Sequence, residues 1–306
     1  MMTTLIRLRG RHAVIGIPFA WLSLFFALPF LIVLKISVSE TDGVAFTNLL
    51  TLTNGVLQLT IRLGNYVSAA QDALYYTAYF TSMKYAAVTT LLCLAIGYPF
   101  AYFMARAEKS LQPVLLMLVM LPFWTSFLLR VYAWKALLGE HGWVAEALIA
   151  LHIDELLAAV HLITVPANLM NTPFSLTLGM VYTYLPFMVL PLYGTLGKLD
   201  LRFLEASADL GARPWTTFWT ITVPLSKDGI VAGSLLVFIP CIGEFVIPEL
   251  LGGPQTLMIG RVLWDEFFSN NDWPMAATVA VALILIIIAP LALFNKYQAQ
   301  SQEQRP

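Results

Sequence analysis

Charge is scarce in this 306-residue chain: Asp, Glu, Lys and Arg make up 11% of it, against 59% hydrophobic residues. A soluble domain carries roughly a quarter charged residues, so an ordinary soluble fold is excluded and much of the chain must meet lipid. Cysteine is nearly absent. Cys93 and Cys241 both fall inside apolar runs, which argues for small buried hydrophobes and against a disulfide framework or thiolate metal site. The four histidines, His12, His141, His152 and His161, are scattered, with no H-E-x-x-H pair, so no metal site is expected. The phosphate-cradling pattern G-x-x-x-x-G-K-[ST] is missing too. GTLGKL at 194–199 has the wrong spacing and no hydroxyl for magnesium. No acid, base and nucleophile group together, so catalytic residues and an enzyme are not expected.

What the chain does have is long hydrophobic runs. Arg7, Arg9 and Arg11 precede one from Ala13 to Val38, too long for a signal-peptide core and followed by no small-residue cleavage site; it reads as an uncleaved first span. Five further runs of about 20 residues or more lie near Tyr79–Met104, Leu111–Leu138, Leu176–Leu196, Gly229–Leu251 and Met275–Phe294. The expected fold class is an all-α membrane protein with six transmembrane helices. Its expected organisation is an N-terminus at 1–12, a first span at 13–38, an outer loop at 39–77 with turn signals at Asn54-Gly55 and Gly64-Asn65, a five-span core at 78–295 and a solvated tail at 296–306.

Basic residues sort to one side. Arg106 and Lys109, Lys198, Arg202, Arg213 and Lys227, then Lys296 and Arg305 share a side with the N-terminal arginines, whereas the opposite loops hold only Arg62 and Arg261. The positive-inside rule therefore places both termini and the loop at 198–228 in the cytoplasm. The outer loops carry Glu40, Asp42, Asp72, Glu140, Glu146, Asp154, Glu155, Asp265, Glu266 and Asp272. Such a face concentrates cations at its mouth, or simply reflects the exclusion of basic residues from outer loops.

The polar insert DLRFLEASADLGARPWTTFWTITVPLSK, Asp200 to Lys227, is patterned like a folded unit. Asp200 can cap a helix over 201–210, Gly211 suits the left-handed residue that ends it, and Pro214 suits the first turn of a second helix that Pro224 should stop. Ala206, Ser207, Ala208, Gly211 and Ala212 are small and let another surface approach; Leu201, Leu204 and Phe218 supply apolar anchors. The pattern fits a docking knuckle, or an amphipathic pair lying on the bilayer surface.

In the fifth run, SLLVFIPCIGEFVIPELLGGP, Pro240, Gly243, Pro248 and Gly252 weaken the helix around Glu244 and Glu249. Broken helices at membrane depth line protein or water cavities. Glu244 lies about 15 residues, roughly 22 Å, beyond Gly229, so it marks either a solute pathway or an ion pair with Arg130, with Lys135 nearby in sequence. Trp124, Tyr132, Trp134, Tyr182, Tyr184 and Trp264 offer ring faces to an ammonium group, or serve as interfacial anchors. The pathway candidates are Glu244, Glu249, Trp124, Tyr184, Trp264 and Asp265. Gly229 and Gly233, beside Ser234, suit close helix packing.

Glu205-Ala206, Gly211, Ile221 and Pro224 resemble the coupling-loop signature of bacterial ABC importer permeases, E-A-A-x-x-x-G-x9-I-x-L-P, with departures at Ser207 and Val223. LPFWTSFLLRVYAW, YTYLPFMVLPLY and GEFVIPELLGGP followed by MIGRVLW are similar to the polyamine branch, and within it to the first permease of putrescine importers. The likeness covers about Ala13 to Phe294. It implies the type I importer permease fold, a heterodimer with a second homologous permease, a cytoplasmic ABC ATPase dimer that holds ATP and magnesium, and a periplasmic polyamine-binding protein. This chain itself would bind no cofactor and no nucleic acid. The resemblance further implies that Glu205, Ala206, Ser207, Asp209, Gly211, Ala212, Pro214 and Pro224 couple to the ATPase. The alternatives are a permease for another small solute and a stand-alone secondary transporter. Against the latter stand the folded loop and the lack of recognisable inverted halves.

Overall fold

The computed structural model describes residues 14–42, 45–46, 50–53, 56–59 and 61–303. Arg7, Arg9, Arg11, His12, Asn54, Gly55 and Arg305 lie outside the described residues. The chain forms two compact units, one of residues up to Tyr75 with Leu263–Leu285, the other of Tyr76–Val262 with the C-terminal stretch.

The first unit begins with α1, Val14–Ser37, apolar apart from Lys35 and two serines. Two small antiparallel hairpins follow, β1 (Thr41–Asp42) with β2 (Ala45–Phe46) and β3 (Leu50–Thr53) with β4 (Val56–Leu59). Next comes α2, Gly64–Gln71. The Gly64-Asn65 pair thus opens a helix, not a turn, and the Asn65 side chain ties that opening to the Ser39 carbonyl at 3.2 Å. The end of α1 is fixed by hydroxyls: Tyr66 donates to Ser37 Oγ at 2.9 Å, and Thr278 donates to the Ser37 carbonyl at 3.1 Å.

α3 runs over Ala73–Arg106, starting earlier than the expected core boundary at 78. The apolar stretch expected as one span at 111–138 is two helices, α4 (Gln112–Met120) and α5 (Phe127–Leu138), bent by 88° across a short 3₁₀ turn. Pro122 in that turn has no N–H to extend the ladder, and Thr125 turns extended, so hydropathy continues where the helix cannot. α6 (Trp143–Ala150) and α7 (Ile153–Ala159) pack Ala145 and Leu157 into a buried cluster with Leu138, Ile163 and Leu169.

α8, Pro173–Leu196, is the buried centre of the second unit. Its start is a capping box that went unread in the sequence. Thr172 Oγ1 accepts from the Ser175 N–H at 3.3 Å, Ser175 Oγ accepts from the Thr172 N–H at 3.1 Å, and Pro173 takes the first turn. α9 (Arg202–Asp209) and α10 (Pro214–Leu225) form the helix pair, and α11, Lys227–Ile242, follows at 67° to α10. α11 lies along α8 because two glycines leave room. A Cβ on Gly229 would stand 2.9 Å from the Pro191 carbonyl, and one on Gly233 would stand 3.1 Å from that of Met188. The packing role expected for this pair is therefore what the helices use.

After a break come α12 (Val246–Leu251), α13 (Ile259–Trp264) and α14 (Trp273–Glu303). The tail expected as solvated chain from 296 is helical to Glu303. Among the described residues four helices are long and apolar enough to cross a membrane, or six if each bent pair counts as one span, which is the expected count.

Candidate functional site

The helix pair is built locally. Asp200 Oδ1 accepts from the Arg202 N–H at 3.0 Å, holding the entry to α9. At its exit Gly211 has φ +79°, with the Gly211 N–H on Ala208 O at 2.8 Å and the Ala212 N–H on Ser207 O at 3.1 Å. That is a left-handed helix stop, and glycine takes it without the cost of a Cβ. Ser207, the departure from the family pattern, is buried and shares a hydrogen bond with Thr217 Oγ1 at 2.8 Å, which pins α9 to α10.

Two expectations are corrected here. Leu204 and Phe218 turn inward and border a small cavity of about 240 Å³ with Tyr102, so they are not outward anchors. Exposed apolar side chains on the pair include Leu201, Phe203, Leu210 at 89% and Trp215 at 71%. Nor does Pro224 end the second helix. The turn Phe218–Thr222 is π-helical, with the Val223 N–H reaching Phe218 O; this shifts the ladder by one residue, and the helix carries Pro224 on to Leu225. The proline marks the bend at Ser226 instead. Glu205, Ala206, Asp209 and Pro214 are exposed, and Ala212 is half-buried.

The second constellation lies at the break between α11 and α12. Glu244 folds back on its own backbone: Oε1 accepts from the N–H groups of Phe245 at 3.1 Å and Val246 at 3.0 Å, so the carboxylate caps α12. Oε2 accepts from the Tyr184 hydroxyl at 2.6 Å. Tyr184 is buried on α8, beside Phe187, whose ring meets Phe123 of the 3₁₀ turn edge-on at 5.1 Å. The Gly243 and Glu244 carbonyls, released by the break, press on α13 so closely that a Cβ at Gly260 would stand 2.5 Å from each. The Glu244–Arg130 ion pair is absent among the described residues. Arg130 instead places its guanidinium 5.9 Å from the centre of the Phe127 ring.

Of the other pathway candidates, Glu249 is paired with Arg261 at 2.6 Å, at the edge of a cleft of about 570 Å³ that Asn171 also borders. Trp124 is largely exposed in the same unit. Trp264 and Asp265 belong to the first unit, where Trp264 packs on Phe268 with ring centres 4.1 Å apart. The structure thus brings Tyr184 and Glu244 into contact.

Many acids assigned to the outer loops have local duties. Glu40 pairs with Arg62. Asp72 accepts from the Leu74 N–H, Asp154 from the Ala167 N–H and Asp272 from the Met275 N–H. Glu266, only 8% exposed, accepts from the Tyr75 hydroxyl at 2.7 Å and from Asn270 Nδ2 at 2.9 Å. The sequence reading missed that role; the cue was a Tyr at the head of a span opposite an aromatic-rich acidic turn, too weak to pair from sequence alone.

Residues 93–300 match the family described as "Binding-protein-dependent transport system inner membrane component". The chain belongs to this family. It is a multi-pass inner-membrane permease component, not an enzyme. It is 36% identical over 285 residues to the spermidine/putrescine transport system permease protein PotB of Haemophilus influenzae, covering 93% of this chain and 92% of that protein. It is 38% identical over 267 residues to the PotB of Escherichia coli K12, covering 87% and 90%. Its fold matches that of a bacterial ABC transporter involved in import of the acidic polysaccharide alginate, with TM-score 0.61 and 17% identity over 94% of this chain and 97% of that one. A second alginate ABC transporter structure, in complex with a pentasaccharide-bound periplasmic protein, gives TM-score 0.66 at 13% identity over 99% and 98%. The ABC importer permease fold expected from the sequence is therefore the fold observed.

Proposed function

We propose that this chain is one of two permease subunits of an ATP-driven polyamine importer. The observation that carries the reading is the 36–38% identity, across 87–93% of the chain, to permeases named for spermidine and putrescine. In this reading both termini and residues 198–228 face the cytoplasm, residues 39–77 face the periplasm, and a second homologous permease completes the pathway. A separate ABC ATPase dimer binds ATP and magnesium, and a periplasmic binding protein delivers the solute.

Force enters through α9 and α10. Glu205, Ala206, Asp209 and Gly211 form the exposed face that seats in the ATPase, Ser207 and Ala212 hold its shape, and Pro214 and Pro224 set the start and the bend of the second helix. Leu210 and Trp215, apolar and open, supply contact area for that seat.

Solute passes the helix break. Glu244 supplies the anionic group for an ammonium, and Tyr184 aims it by holding Oε2. Trp124 and Trp264 offer ring faces, and Glu249 and Asp265 offer carboxylates nearer the outer surface, Glu249 once Arg261 yields. Putrescine is the expected cargo. The test is uptake of labelled putrescine, spermidine and molybdate by proteoliposomes that contain this chain with its copurifying subunits and ATP. Putrescine uptake that needs ATP supports the reading. Transport without nucleotide, or of the anion alone, overturns it.

A further inference from the structure

Along α3, outside everything assigned above, a groove of about 350 Å³ opens between Leu91, Leu94, Ala95 and Tyr98 on one side and Phe218, Trp219 and Ile230 on the other. Its lining is apolar. The single hydroxyl, that of Tyr98, is already engaged by Ser226 Oγ at 2.8 Å, so nothing polar is left in the groove for a ligand to satisfy. Leu91 and Trp219 stand open at its sides, at 65% and 54% exposure, so it is reached laterally, from the level of the bilayer.

A charge lies on the same helical stripe. Tyr98, Tyr102 and Arg106 follow at successive i, i+4 positions, and Arg106 is in the last turn of α3. Phe218 lines both this groove and the small cavity that Tyr102 borders, so the two adjoin. The Arg106 guanidinium stands 5.3 Å from the Tyr102 ring centre, and its Nη2 is buried without a hydrogen-bond partner among the described residues. A buried guanidinium nitrogen without an acceptor is costly.

We propose that this groove holds one acyl chain of a membrane phospholipid whose phosphate pairs with the Arg106 guanidinium. An apolar groove with a cation farther along the same helical stripe complements an amphiphile with an anionic head. The Tyr98-to-Arg106 rise of roughly 12 Å along the helix separates chain from head. Trp215, stacked on Phe218 with ring centres 5.9 Å apart, and Trp219 give the segment the aromatic character of a membrane–water interface. The lipid would brace α3 against the π-helical turn of α10. The inference needs only the membrane placement, so it is independent of the cargo.

The test reconstitutes the full chain, with its copurifying subunits, into nanodiscs doped with phosphatidylglycerol or with diacylglycerol, which lacks the phosphate, each carrying a photoactivatable group on the acyl chain; cross-linked peptides are then mapped. The expected result is labelling of peptides containing Leu94–Tyr98 and Trp219, with phosphatidylglycerol favoured roughly tenfold, the effect of one charge-assisted hydrogen bond. Ala95→Phe, at an exposed position, should remove labelling by both lipids at those peptides while labelling of α1 stays unchanged. Arg106→Gln should keep the labelling and lose the preference for the anionic lipid, which keeps the proposal testable if the first variant fails to insert. Equal labelling of Ala95→Phe and wild type would overturn the proposal. So would a wild type that labels equally with and without the phosphate, or groove peptides that cross-link to a protein subunit and not to lipid.

Discussion

The Tyr184 hydroxyl donates to Glu244 Oε2 at 2.6 Å, while Oε1 of the same carboxylate holds two backbone N–H groups at the start of α12. One side chain therefore both shapes the helix break and presents charge within it. Tyr184→Phe removes one of three donors, and a hydrogen bond to a charged group contributes about 1.5–3 kcal/mol. Uptake is expected to fall while the subunit still inserts. Glu244→Gln keeps an acceptor for the cap but loses the charge, so it should abolish uptake with little change in Tm. Normal uptake by Glu244→Gln would reduce Glu244 to a capping residue.

Gly211 tests the docking knuckle. Its φ is +79°, and an added Cβ would meet nothing within 4 Å, so within this chain a substitution costs only the left-handed backbone, about 1–2 kcal/mol. Gly211→Asn should be nearly tolerated for folding. Gly211→Leu should insert normally yet fail to retain the ATPase in co-purification and fail in uptake. If Gly211→Leu still binds the ATPase and transports, α9 is not the contact.

Gly233 differs, because Met188 backbone atoms lie where its Cβ would go. Gly233→Ala forces α8 and α11 apart and is expected to cost about 1–3 kcal/mol, as overpacking does. Gly194→Ala, with nothing within 4 Å, is the control. Thermal unfolding of both variants in detergent should show a lower Tm only for the first.

Glu249 and Arg261 are half-exposed partners, at 51% and 32% for their side chains. A pair so placed contributes under about 1 kcal/mol to stability. Glu249→Gln should therefore leave Tm unchanged and reduce uptake less than Glu244→Gln does. The charge-swapped double variant, Glu249→Arg with Arg261→Glu, should recover what either single variant loses. No recovery would show that the two act separately.

Membrane class, the span count and the helix–turn–helix were legible because each rests on local chemistry: hydropathy, a glycine that must be left-handed, a proline at a first turn. Hydropathy could not show the 88° bend at Pro122, since a broken apolar run and a continuous one have the same composition. Pro224 misled for the converse reason. A π-helical turn needs no special residue, so nothing in FWTIT announces it. Glu244 stands out in the sequence as an acid in an apolar run, but its partners are Tyr184 and its own backbone, not Arg130. Tertiary neighbours 60 residues apart leave no local trace. The duties of Asp154 and Glu266 were hidden behind a count of acids, which records charge but not what the charge holds.

The π-helical turn at Phe218–Thr222 amounts to one residue wound in beyond the regular α repeat. Each α-helical residue rotates the chain by about 100°, so this surplus fixes the angular phase between Trp215 on one side and Ser226 on the other. Excising a single residue there would leave the hydropathy pattern intact. It would also swing the knuckle around its own axis, as a mis-cut tooth throws two gears out of mesh.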